Sequence, residues 1–267
     1  MTNLSLEAVI ISTDERGVAT LTLNRPEKHN ALDSVMIADL REAAALLGAD
    51  GDVRVVVLTS AESSSFCAGG DVNWFKSMVD ANRSTRRDGS RELARMFADL
   101  DSLPKPLIGR INGSAYGGGT GMISVCDYSV GVIGTRYGLT EVRLGLIPAN
   151  ISPYVVKRIG EFNARAVMLS GALFDADRAV RIGLLTEAVA TTDLDAQIEK
   201  IVLDHLEAAP GAVAMTKELI SFVSTHSYDD NLLYTVDRLA DAWEADEAAA
   251  GIFAFLGKTL PPWRSGK

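Results

Sequence analysis

Across 267 residues the sequence carries only two cysteines, Cys67 and Cys126, and three histidines, His29, His205 and His226. Two thiols are too few for the disulfide framework of a small secreted fold and point to a reducing, cytoplasmic setting. The histidines are too scattered to predict a metal site. No uninterrupted apolar run approaches the roughly 20 residues that cross a bilayer. The most continuous, residues 53–58, stops at Thr59 and Ser60. The first eight residues have neither the basic segment nor the apolar core of a secretory signal. Positive charge is also in deficit, with 26 Lys and Arg against 35 Asp and Glu. The resulting net charge of −9 opposes adhesion to nucleic acid or anionic lipid, so the expectation is a cytoplasmic protein with no nucleic-acid or membrane partner.

Several chemistry-bearing motifs are missing too. There is no G-x-S-x-G elbow and no H-E-x-x-H pair. Gly257-Lys258-Thr259 resembles the end of a phosphate loop, but Gly251 is one residue too far away and Pro261-Pro262 blocks a following helix. The run from Gly113 to Gly117 lacks the G-x-G opening of a dinucleotide fingerprint. Serine hydrolases, zinc enzymes, P-loop ATPases and Rossmann dehydrogenases are thereby disfavoured.

What remains is an ordinary globular composition, 47% apolar and 23% charged. Residues 9–23 hold two runs rich in Val, Ile, Thr and Leu around Asp14-Glu15-Arg16-Gly17, which predicts a hairpin. Met36, Leu40, Ala43 and Leu47 then mark a helical stripe, with Asp33 or Ser34 as cap and Gly48 as stop. Residues 53–59 read as a strand, 61–66 as a loop, and Leu93, Met96, Phe97 and Leu100 as another helical stripe. Pro104-Lys105-Pro106 enforces extended backbone before a strand at 107–111. This alternation over residues 50–190 predicts an α/β unit with crossover connections and a ligand site near the carboxyl ends of strands. Segments 195–207, 212–223 and 229–255 keep helical spacing with no strand between them, so the expected division is a core at 1–195 and a helical region at 196–267.

Three features are candidates for chemistry. Phe66-Cys67-Ala68-Gly69-Gly70-Asp71 and the stretch from Asn112 to Gly121 are glycine-rich, each following a predicted strand and leading into a helix. They are either tight turns or loops whose bare backbone N–H groups approach a ligand. The third is Glu141, set among apolar residues before Pro148. It is either a surface charge or a carboxyl whose desolvation raises its pKa toward the working pH of a proton-transfer catalyst.

Taken in order, these segments resemble the crotonase, or enoyl-CoA hydratase/isomerase, superfamily. The likeness runs from about Val9 to Trp263. It rests on Leu23-Asn24-Arg25-Pro26 with Asn30-Ala31-Leu32, the Gly69-Gly70-Asp71 loop, Gly117-Gly118-Gly119, Cys126-Asp127, Glu141 with Gly145-Leu146-Ile147-Pro148, and Phe255-Leu256. The resemblance implies a β-β-α spiral core with a C-terminal helical trimerisation region, assembled as a homotrimer or a dimer of trimers. It implies an acyl-CoA substrate, with CoA entering as part of that substrate and no further cofactor or metal. The thioester oxygen would be held by the N–H groups of Gly70 and Gly118, with Glu141 as the catalytic carboxylate. Substrate and CoA would be held by Lys28, Ala31, Ala68, Asp71 and Gly121, with Lys76 or a neighbouring subunit's Lys258 as further partners for the phosphates.

One position departs from the family pattern. Typical hydratases carry two glutamates, and the first falls here on Gly121. A single carboxylate suffices for a Δ3,Δ2-enoyl-CoA isomerase. Yet Thr140-Glu141-Val142-Arg143 with Ile147-Pro148-Ala149-Asn150-Ile151-Ser152-Pro153 is similar to bacterial hydratases of leucine and isoprenoid breakdown, such as those acting on 3-methylglutaconyl-CoA. Hydration is therefore the leading expectation and isomerisation the alternative; a non-catalytic acyl-CoA-binding or RNA-interacting homologue ranks third. Space at Gly121 would admit a branched chain or a carboxylate, with Arg110 or Arg143 as its partner; for Arg143 a structural ion pair is the other reading.

Overall fold

The structure, a computed structural model, describes residues 2–61 and 64–264. Glu62 and Ser63, inside the loop expected at 61–66, lie outside the described residues. The chain opens with an antiparallel meander of β1 (Thr2–Ser5), β2 (Val9–Thr13) and β3 (Val18–Leu23). The predicted hairpin is the β2–β3 connection, where the Asp14 carboxylate accepts from the amides of Arg16 and Val18. Helix α1 (Ser34–Ala49) begins where the sequence places it, with Asp33 accepting from the Met36 amide at 2.9 Å and Met36, Leu40, Ala43 and Leu47 buried.

From there a repeat sets in, each turn made of two strands followed by one helix or, in the first turn, two. The first is β4 (Val55–Ser60), β5 (Ser65–Cys67), α2 (Val72–Asp80) and α3 (Arg83–Asp101). The second is β6 (Leu107–Ile111), β7 (Ser114–Tyr116) and α4 (Gly118–Val125). The third is β8 (Tyr128–Val132), β9 (Arg136–Gly138) and α5 (Ser152–Met168). Short β10 (Phe174–Asp175), α6 (Ala176–Arg181) and β11 (Glu187–Val189) close the core. The first strand of each turn joins one sheet, in the order β1-β2-β3-β4-β6-β8-β11, and the second joins another, β10-β9-β7-β5. Pairings β4/β6, β6/β8, β5/β7 and β7/β9 are all parallel, so successive turns stack in one direction and form the expected β-β-α spiral. β4 is buried at all six positions, as a parallel strand covered on both faces requires.

The helical region at the C-terminus comprises α7 (Leu194–Leu206), α8 (Pro210–Val223), α9 (Tyr228–Glu244) and α10 (Asp246–Gly257). The stretch 229–255, expected to be helical, folds as two helices, because Ala245 adopts extended backbone (φ −73°, ψ 140°) and separates α9 from α10. A division between residues 195 and 196 would cut α7. That helix lays Leu194, Ile198, Ile201 and Val202 on the large sheet against Val55, Val57, Ile108 and Val130, so it belongs to the core and the projecting part starts at Pro210. Arg54 ties this part down, donating to the carbonyls of Leu206, Ala208 and Trp263 at 3.0, 2.8 and 3.1 Å. Among the described residues no helix is long and apolar enough to cross a membrane.

Candidate active site

Because β5, β7 and β9 are parallel neighbours, their carboxyl ends lie at one end of the small sheet. The three sequence candidates follow directly: Gly69-Gly70 leaves β5, Gly117-Gly118 leaves β7, and Glu141 opens the 3-10 turn Glu141–Leu144 after β9. Features separated by more than 70 residues in the chain are brought to one place by parallel pairing.

The two glycine loops touch. A Cβ placed on Gly69 (φ +86°) would lie 2.8 Å from the Tyr116 carbonyl oxygen and 3.6 Å from the Gly118 amide nitrogen. No side chain fits there, and the left-handed backbone at Gly69 suits glycine in any case. The first loop is fixed from its other side by Leu32, whose amide donates to the Gly69 carbonyl (2.7 Å) and whose carbonyl accepts from the Asp71 amide (2.8 Å). Those bonds use the residues flanking Gly70. Among the described residues the amides of Gly70 and Gly118 have no hydrogen-bond partner. Gly118 is the first residue of α4, where N–H groups lack intrahelical acceptors, and its cap, Gly117, has no side chain to supply one.

Glu141 lies against the same turn. A Cβ on Gly117 (φ +48°) would sit 2.9 Å from Glu141 Oε1. Glu141 Oε2 is buried without a hydrogen-bond partner among the described residues. Burial pushes its carboxyl above the ordinary range, opposed only in part by a hydrogen bond from its own backbone amide. A desolvated carboxylate beside two unengaged main-chain donors can move a proton next to an oxygen that gains negative charge.

The segments expected to meet CoA also lie together. Ala68 donates from its amide to the His29 carbonyl at 3.0 Å, and His29 and Asn30 both take left-handed backbone (φ 51° and 53°). Buried Asn30 accepts from the Arg25 amide and donates to the Ser65 carbonyl, locking residues 28–31 alongside 65–69. Lys28 and Lys76 are exposed, and Lys258 ends α10.

Several other expected residues are engaged within the chain. Ala31 is buried, with its amide donating to the Lys28 carbonyl and its own carbonyl accepting from Arg25 Nη1. Asp71 faces its own chain: it caps α2 by accepting from the Asn73 amide (2.8 Å) and pairs with Arg25 (3.2 Å). Burial alone would raise its carboxyl, but those hydrogen bonds outweigh it and hold the pKa below the usual range. There is no room at Gly121, where a Cβ would meet Ile151 Cγ2 at 2.4 Å and Phe97 Cε1 at 3.0 Å. The space a second glutamate would need is filled by an isoleucine. Arg110 pairs with Asp195 and donates to Thr59, and Arg143 donates to the Ser170 carbonyl and makes no ion pair among the described residues.

Sequence reasoning missed Arg25. Its guanidinium, 17% exposed, reaches the Ala31 carbonyl, Asp33 (2.9 Å) and Asp71, clamping the segment that carries Leu32 to the loop that carries Gly70. The available signal was its place in Leu23-Asn24-Arg25-Pro26.

Comparison with known proteins agrees with this geometry. The sequence model of the enoyl-CoA hydratase/isomerase family matches residues 13–266. The crystal structure of an enoyl-CoA hydratase from Shewanella pealeana superimposes with a TM-score of 0.92 at 32% identity, covering 97% of each chain. The (E)-benzylidenesuccinyl-CoA hydratase of Thauera aromatica is 31% identical over 249 residues, 92% of this chain and 95% of that protein. The short-chain-enoyl-CoA hydratase of Clostridium acetobutylicum is 29% identical over 250 residues, 93% and 95% of the two chains. A crotonase-like spiral, a family match over nearly the whole chain and two glycine loops meeting at a desolvated glutamate make this protein an enzyme of the enoyl-CoA hydratase/isomerase family.

Proposed function

We propose that the protein adds water across the 2,3 double bond of an enoyl-CoA thioester. The observation that carries this reading is the meeting of Glu141 with the unengaged amides of Gly70 and Gly118. In the proposed reaction ionised Glu141 takes a proton from water, the oxygen adds to C3, and the electrons of the double bond move onto the thioester oxygen. The two amides stabilise that enolate, each preorganised donor contributing about 3 kcal/mol. Glu141 then returns its proton to C2, so one carboxyl serves as base and acid and the sum is addition of water. The substrate brings its own CoA and the reaction uses no metal or further cofactor. Lys28, Ala68 and the 28–31 backbone are proposed to hold the CoA portion.

The finer proposal is a branched or carboxylated acyl chain of the 3-methylglutaconyl type. Its support is the Thr140–Pro153 sequence pattern and the Thauera relative, whose named substrate is a substituted succinyl thioester. The protein is further proposed to work in the cytoplasm as a homotrimer or dimer of trimers.

One observation favours a second reading, the Δ3,Δ2-enoyl-CoA isomerase: with glycine at position 121 and Asp71 engaged by Arg25, Glu141 is the one unengaged carboxylate among the described residues at the two glycine loops. Incubation with crotonyl-CoA and with 3-hexenoyl-CoA separates the two. Loss of the conjugated-thioester ultraviolet absorbance with crotonyl-CoA is expected. Inertness there, with a rise of that absorbance from 3-hexenoyl-CoA, would replace hydration by isomerisation. Gly118→Pro removes the N–H donor, although its ring must displace the Leu32 methyl that would lie 2.6 Å from a Cβ there; a loss of about 10²- to 10³-fold in kcat is expected, and a folded variant by circular dichroism with full activity would dismiss the donor.

A further inference from the structure

The chain's net charge is −9, yet residues 83–91 hold four arginines and one aspartate. Arg83, Arg86, Arg87 and Arg91 lie in the first half of α3, are exposed, and line an open surface cavity of about 670 Å³ together with Ser90, Ala94 and Asn150. Arg86 donates to the carbonyls of Met78 and Val79 at the end of α2, and Arg91 pairs with Asp88. The guanidinium groups of Arg83 and Arg87 have no hydrogen bond or ion pair among the described residues. Spaced four apart, they repel one another on the helix surface. Two uncompensated guanidinium groups at the wall of a cavity are a favourable setting for an anion, and a planar, bidentate one such as a carboxylate suits them best.

The cavity is joined to the reacting centre by a short chain of contacts. Ser90 donates to Asn150 at 3.1 Å, joining α3 to the loop that descends from Glu141. Ile151, the next residue, packs on Gly121, whose amide donates to the Gly117 carbonyl at 3.0 Å. Gly117 is the residue against which Glu141 rests. This chain of contacts links the loop that carries Asn150, at the cavity, to the turn that carries Gly117 and Glu141. The CoA segments, residues 28–31 and Ala68, connect to the centre through Leu32 and Gly69 instead.

We propose that Arg83 and Arg87 bind a carboxylate at the far end of the acyl group, making the preferred substrate a short enoyl-CoA that ends in a free acid. This rests on the hydratase reading only for the identity of the thioester. The site itself is tested by binding, with saturated thioesters that cannot react. Titration calorimetry would compare glutaryl-CoA with pentanoyl-CoA, which differ by the terminal carboxylate. Wild-type protein is expected to bind glutaryl-CoA about tenfold or more tightly than pentanoyl-CoA. In Arg83→Gln/Arg87→Gln the ratio is expected to fall to near one, chiefly through lost glutaryl-CoA affinity, while Arg83→Lys/Arg87→Lys retains part of it. Equal weakening of both ligands would assign the arginines to the CoA phosphates and overturn the proposal. No wild-type preference, or no change in the variant, would overturn it as well. Crotonyl-CoA turnover is scored separately, so failure of hydration and failure of the carboxylate site give different results.

Discussion

At the scale of single residues the site depends on one carboxyl in an unfavourable setting. In the proposed hydration Glu141 must be ionised to accept a proton, and burial raises its pKa. The kcat/KM profile is therefore expected to fall toward acid with a midpoint above the ordinary glutamate value of about 4.3; a midpoint at or below that value would contradict the assignment. The same shift has a consequence for stability. A carboxyl that holds its proton more tightly in the folded state contributes fully below its unfolded pKa, and that contribution is lost as pH rises through the folded value. Glu141→Gln is expected to lower kcat by about 10²- to 10⁴-fold while retaining acyl-CoA affinity. Calorimetric melting across pH should show the variant gaining on the wild type from acid to neutral pH. The two thiols behave differently. Cys67 and Cys126 are fully enclosed and burial pushes both up to about 12, so thiol-directed reagents are expected to leave the folded enzyme active.

At the scale of elements, the spacing between chain segments sets the position of the amides. Arg25 holds Asp33, Asp71 and the Ala31 carbonyl at once, and Asp71 in turn caps α2. Arg25→Ala leaves Asp71 without its cation, and a loss of about 2 to 3 kcal/mol in chemical denaturation is expected. Because Arg25 touches no reacting atom, its removal should lower kcat more than it raises KM, the signature of a displaced Gly70 amide. The stability that Asp71 contributes is present above the ordinary aspartate pKa and lost as pH falls through its depressed folded value, below about pH 4. Helix α4 is equally constrained. Gly121→Ala drives a methyl into Ile151 and Phe97 and is expected to cost about 1 to 3 kcal/mol, with Ile151→Ala in the same chain offsetting part of it. Gly121→Glu is accordingly expected to impair folding before it could restore a second catalytic carboxyl.

At the scale of the molecule, the C-terminal helices present apolar surface that one chain does not cover. Leu233, Val236, Leu239 and Trp243 on α9 are each more than 60% exposed, as are Phe253, Phe255 and Leu256 on α10. Exposed apolar side chains of this number on two helices fit association of copies, in line with the proposed trimer. Leu233→Glu/Val236→Glu is expected to move the sedimenting species toward a single chain; unchanged sedimentation would place the interface elsewhere.

The sequence by itself determined the local pieces: the 9–23 hairpin, α1 with its Asp33 cap, the strand at 107–111, the two glycine loops and Glu141. These depend on turn chemistry, apolar period and missing side chains, all of which are written within a few residues. It also carried the spiral, through ordered motifs that resemble a known family. What only the tertiary structure decided depends on contacts between distant segments. Parallel pairing of β5, β7 and β9 put the three loops at one end of a sheet, and Ile151 took the space beside Gly121 that the sequence had left open. Asp71 was engaged by Arg25 and the start of α2, and α7 joined the core because its apolar stripe meets the valines of the large sheet. Whether a side chain faces substrate or another side chain is set by what packs opposite it, and that partner lies tens of residues away.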